Sequence, residues 1–84
     1  MITNQQIQAA RALLGWSQTD LAGQAGLSVP TVKRLEGAFG PHVSDEARKK
    51  MQKALELAGI SFIEENGGGP GVRLRKRQRS KQPK

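Results

Sequence analysis

The stretch GLSVPTVKRLEG, residues 26–37, holds four side chains in a chemically informative order: Val29 and Pro30, then Lys33 and Arg34. On a helix that starts after Ser28, these four occupy about 140° of the circumference at 100° per residue. Small apolar groups stand at the front of that face and cations one turn behind. Arg34 carries the fork that meets guanine O6 and N7 together, and Lys33 can reach guanine or a phosphate. Val29 and Pro30 can touch a thymine methyl or permit close approach to a groove. Ser28 and Thr31, with hydroxyls at the same helix start, are candidate phosphate contacts. The bland alternative is a solvated amphipathic helix with an incidental Val-Pro pair.

The elements that must position this face are legible in the cap residues. Thr3 with Gln6 fits a capping box, with Ile2 and Ile7 placed as a hydrophobic staple. Ser17 with Asp20 repeats the pattern between Trp16 and Leu21, and Ser28 repeats it in part between Leu27 and Val32. Pro30 falls in a first turn, where its missing N–H costs little. Gly15 and Gly26 stand where helix ends need a left-handed residue. This grammar predicts helices over Asn4–Leu14, Gln18–Ala25 and Val29–Glu36. The last two are separated by three residues, with Ala22 at the close approach and Leu21, Ala25, Leu27, Val32 and Leu35 spaced to face inward. Those demands are the demands of a helix-turn-helix.

After GAFGPHV, the segment SDEARKKMQKALELAG reads as a fourth helix capped by Ser44 and stopped by Gly59. Asp45 and Glu46 suit its positive end. Ala47, Met51, Ala54, Leu55 and Ala58 recur at core spacing, and Arg48, Lys49, Lys50 and Lys53 take the solvated side. ISFIEE and VRLR flank NGGGPG, which predicts a β-hairpin with a loop longer than a tight turn. That loop lacks the Gly-Lys-Ser/Thr ending of a phosphate-binding loop, and no helix follows it. The expected fold is mainly α: a compact four-helix bundle with a helix-turn-helix, then a short C-terminal β-hairpin and a disordered basic tail. Residues 1–74 form the domain and 75–84 the tail.

Charge distribution separates body from tail. The 84-residue chain has a net charge of +7, and seven cations fall at Arg73 and beyond with no acid among them. The body is formally neutral, and the terminal run favours a polyanionic partner. Arg75, Lys76 and Arg77 are therefore candidate phosphate contacts. Cysteine is absent, which excludes disulfides and thiolate metal sites. The one histidine, His42, sits beside Pro41 in a loop, and the seven acids show no paired-carboxylate or metal spacing. No enzyme, no metal and no cofactor are expected. No apolar run reaches membrane-span length, and Met1 leads into polar residues, so a cytoplasmic, nucleoid-associated protein is expected.

GWSQTDLAGQAGLSVPTVKRLEG closely resembles the phage-repressor-like helix-turn-helix family of the Cro and xenobiotic-response-element type. The resemblance extends over roughly Ile7 to Ala58. It implies a helical bundle that binds operator DNA, usually as a homodimer on a pseudo-palindromic site, and that regulates transcription, here as a repressor. It places a phosphate contact on Gln18 and base reading on Val29, Pro30, Lys33 and Arg34. It also implies a structural ion pair between Arg11 of the first helix and Glu36 at the end of the third. Some family members carry polar amides where Val29 and Pro30 stand, and members often have a fifth helix where this chain has its hairpin runs. The hairpin edges, including Ser61–Ile63, would then be available for pairing between chains. Two other readings compete: an antitoxin-like or adaptor module for a protein partner, and an RNA-binding protein that uses the basic tail. RNA readers usually expose aromatics for stacking, whereas Trp16, Phe39 and Phe62 are better explained as packing.

Overall fold

Each helix begins where a side-chain oxygen replaces a missing backbone acceptor. The computed structural model of the chain describes residues 2–37, 43–64 and 67–75. In it, helix α1 runs Asn4–Leu14, α2 Gln18–Ala25, α3 Val29–Glu36 and α4 Asp45–Leu57. Thr3 and Ser17 form complete capping boxes with Gln6 and Asp20. Ser28 and Ser44 accept from the backbone N–H of Thr31 and Ala47. Each such cap contributes about 1 kcal/mol of helix stability. The first two helices end on left-handed glycines, Gly15 at φ 70° and Gly26 at φ 69°. At Gly26 the chain turns sharply, and the Leu27 N–H returns to the Ala22 carbonyl at 2.9 Å. That closure lets α3 start only three residues after α2 stops.

Strands β1 (Ile60–Ile63) and β2 (Gly71–Leu74) pair antiparallel, with Ile60 opposite Leu74 and Ile63 opposite Gly71. A two-stranded ribbon is marginal by itself, and here it lies against the helices. Ile60 joins Ile7, Leu21, Val32, Leu35, Met51 and Leu55 in a fully buried core. Phe62 and Val72 pack on its margin, as do Leu14, Trp16, Leu27 and Val29. The four helices, the hairpin that follows them and their mainly apolar core are as the sequence predicts. Ala58 is a correction in detail: it is the C-cap of α4 and half-buried, not one of its core residues.

One polar side chain is buried with that core. Gln6 uses its amide nitrogen to donate to the carbonyls of Ile63 (2.9 Å) and Gly71 (2.8 Å), while its Oε1 accepts from the Thr3 N–H at 2.8 Å. Those two carbonyls belong to the pair that closes the ribbon at its loop end. The capping box of α1 therefore also clamps the hairpin.

A second correction concerns Arg75, expected at the head of a free tail. Its backbone N–H donates to the Gly59 carbonyl at 2.7 Å, and its guanidinium reaches the carbonyls of Glu56 at 2.8 Å and Ile60 at 3.4 Å. The end of α4 carries the negative end of the helix dipole. The Glu56 carbonyl in its last turn, which also accepts the Gly59 N–H at 3.0 Å, and the Ile60 carbonyl of β1 hold the guanidinium that the sequence assigns to phosphate. Lys76 and Arg77, assigned the same role, lie outside the described residues, as do Phe39 and His42.

Candidate nucleic-acid interface

Leucine and valine spacing decides which side of α3 turns outward. Val32 and Leu35 are fully buried, whereas Pro30, Lys33 and Arg34 are exposed. Lys33 and Arg34 form no hydrogen bond or ion pair with any described residue. Val29 departs from the expected outward face. It is half-buried and packs on the core, because 100° per residue puts it nearer the Val32 side than Pro30. The open face is therefore narrower than the sequence suggested, with Pro30 as its leading apolar group.

The two hydroxyls at the start of α3 are engaged with each other. Ser28 Oγ accepts from the Thr31 N–H at 3.2 Å and lies 2.8 Å from Thr31 Oγ1. Each hydroxyl has one hydrogen, so the pair keeps a single O–H for an outside acceptor.

The far end of α3 is tied to both preceding helices through Glu36. Arg11 presents its fork to this carboxylate, Nε to Oε2 and Nη2 to Oε1, both at 2.9 Å. The remaining Arg11 nitrogen, Nη1, donates to the Trp16 carbonyl at 2.8 Å. Gln18, the first residue of α2, donates from Nε2 to Glu36 Oε1 at 3.1 Å. The Glu36 side chain is only 2% exposed and that of Arg11 19%. A carboxylate this buried is tolerable only because three charge-assisted donors face it. The sequence pairs Arg11 with Glu36 only through the family resemblance, and Gln18 was assigned to phosphate alone. Its bond to Glu36 leaves one amide hydrogen and the amide oxygen for other contacts. No spacing rule signals this third donor, since Gln18 and Glu36 are far apart in sequence.

Among the described residues, no group of three or more His, Cys, Asp or Glu could hold a metal ion. No helix there is long and apolar enough to cross a membrane.

A helix held at one end by a buried carboxylate, joined to its predecessor by a glycine turn and open along one cationic face, defines the helix-turn-helix class. The family model described as Helix-turn-helix matches residues 7–38, and that segment is similar to the phage-repressor-like helix-turn-helix of Cro type. The match supports DNA binding by this helix-turn-helix, with DNA as a partner. No curated protein matches the chain.

Proposed function

We propose that the chain is a sequence-specific transcriptional repressor that reads the DNA major groove with α3, as a homodimer on a pseudo-palindromic operator. The observation that carries this reading is the contrast on α3: the side chains of Lys33 and Arg34 are exposed and have no partner among the described residues, on a helix whose other end is fixed by the Glu36 network. A free guanidinium on a rigid support is what bidentate reading of guanine requires. Lys33 adds a guanine or phosphate contact, and Pro30, flanked by half-buried Val29, approaches the base edges. The spare amide hydrogen of Gln18 and the spare hydroxyl hydrogen of Ser28 and Thr31 suit phosphates on either side of the groove. The basic run from Lys76 onward supplies attraction that does not depend on sequence.

One recognition helix reads only a few base pairs, so two copies on half-sites about one turn apart give useful selectivity. Leu57 is 79% exposed and Leu74 41%. Leu57 ends α4 and Leu74 ends β2, where Leu74 approaches Gly59 and Arg75 reaches the Glu56 carbonyl. This apolar corner is the surface we assign to the second copy. Bound over a promoter, such a dimer blocks access by other proteins. A cytoplasmic location at the nucleoid follows from that role.

Selection of bound sites from a random duplex library tests the reading, with single-stranded RNA as competitor and sedimentation of the complex. The expected result is one pseudo-palindromic motif, two chains per site and weak competition by RNA. Recovery of no motif, or preference for RNA, would overturn it.

A further inference from the structure

We propose that the leading tip of α3 reads a methyl group, not a base: Pro30 selects the C5 methyl of a pyrimidine and accepts thymine and 5-methylcytosine alike. The inference rests on the reading of α3 as the major-groove helix. It follows from the polar groups that the tip still has to offer.

Pro30 is exposed and has no N–H. The Thr31 N–H is taken by Ser28 Oγ at 3.2 Å and the Ser28 carbonyl at 3.1 Å, and the Val32 N–H by the same carbonyl at 3.3 Å. Ser28 and Thr31 hold each other's hydroxyls. What remains at the tip is the Val29 N–H, which has no partner among the described residues, one hydroxyl hydrogen suited to phosphate oxygen, and the spare lone pairs of the mutually bonded Ser28 and Thr31 hydroxyls. The next base-directed groups, Lys33 and Arg34, stand a full turn on, about 5.4 Å along the axis. Between these groups and the Arg34 fork, the tip presents the hydrocarbon of the Pro30 ring.

A hydrocarbon pressed on the major-groove edge of a base pair desolvates whatever it meets. Over N7, O6, N6, N4 or O4 it leaves a polar atom without a partner, which is unfavourable. Over a pyrimidine C5 methyl it buries apolar surface on both sides. Thymine and 5-methylcytosine share that methyl. They differ at position 4, carbonyl in one and amine in the other, and Pro30 has no group that bonds to either. A polar amide at this position would distinguish them. Cytosine methylation within the half-site should therefore strengthen binding.

The test uses the full chain and the duplex recovered by selection. Each thymine is replaced singly by uracil, by cytosine and by 5-methylcytosine, the last two paired with guanine, and the dissociation constants are measured. One methyl is worth about 0.8 kcal/mol of burial, or about fourfold in affinity. We expect one position per half-site at which uracil binds about fourfold more weakly than thymine. At that position unmethylated cytosine should also bind about fourfold more weakly than 5-methylcytosine. Pro30→Ser should bring both ratios to one and leave the guanine preference of Arg34 in place. The base replacements need no protein variant, so a poorly folding Pro30→Ser still leaves a decisive result. A flat scan on a chain that does select an operator overturns this inference alone, as do ratios that persist in Pro30→Ser. Failure to select any operator overturns it together with the reading of α3.

Discussion

Helix α3 and the β-hairpin are each fixed to the body by one buried polar side chain, and the two anchors differ in kind. Glu36 is charged, belongs to the element it anchors, and gathers Arg11 from α1 and Gln18 from α2. Gln6 is neutral, belongs to α1, and reaches out to two carbonyls of the hairpin. A charged anchor is stiff and costly to break, because the partner left behind is itself charged. A neutral anchor satisfies the same need for hydrogen bonds with less at stake. The stronger device thus holds the element whose outer face we propose meets DNA. The weaker one holds a ribbon that closes the core.

The comparison breaks most sharply at Glu36. Glu36→Ala leaves the Arg11 guanidinium with only the Trp16 carbonyl, and should destabilise the fold by about 3 kcal/mol, at the low end for a buried pair because Arg11 keeps some water access. A chemical-denaturation midpoint equal to that of the wild type would refute it. The variant should also lose operator affinity when measured well below its melting temperature, since α3 is no longer held at its far end.

Gln6→Ala removes the amide that donates to the Ile63 and Gly71 carbonyls and accepts from the Thr3 N–H. A loss of about 2 kcal/mol is expected in the same assay. Here operator preference should persist, which is the point of contrast: an equal disturbance of preference by both variants would mean that the two anchors are one network. Gln18→Ala removes one of three donors to Glu36 and should lower stability by about 1 kcal/mol. It should also weaken binding to operator and scrambled duplex by similar factors if its spare hydrogen meets a phosphate. Deleting residues 76–84 should leave thermal stability alone. Each tail cation that meets a phosphate adds about 0.9 to the slope of log affinity against log salt, and partial engagement of the five removed predicts a fall of about 2 to 4. A salt titration on both duplexes reads this directly.

The helix boundaries could be read from the sequence because each is marked by a residue doing one local job. Thr3, Ser17, Ser28 and Ser44 accept from a first-turn N–H, and Gly15 and Gly26 take a backbone angle that other residues resist. The hairpin was legible for a similar reason, in two apolar runs around a glycine-rich loop. What could not be read depends on three-dimensional neighbours. Gln6 looks like the second half of a capping box, and its sequence gives no sign that its nitrogen serves two carbonyls near the other end of the chain. Arg75 is one cation in a run of cations, and only the fold brings it to the carbonyls of Glu56, Gly59 and Ile60 at the end of α4 and the start of β1. Val29 and Pro30 are adjacent and similar in size, yet one turns inward and the other outward, a difference finer than a three-residue cap pattern resolves. The roles of Lys33 and Arg34 stand on their exposed position in α3 and on the family resemblance together.

The central claim is that the open face of α3 carries sequence preference while the Glu36 network only holds it in place. Arg34→Ala tests this most directly, by affinity for the selected duplex and for its single-base variants, beside a thermal melt. The melt should match that of the wild type, because Arg34 has no partner within the described residues. Affinity for the selected duplex should fall by about 1–3 kcal/mol, with preference lost at one guanine position per half-site and kept at the others. Full retention of that guanine preference in Arg34→Ala would contradict the account.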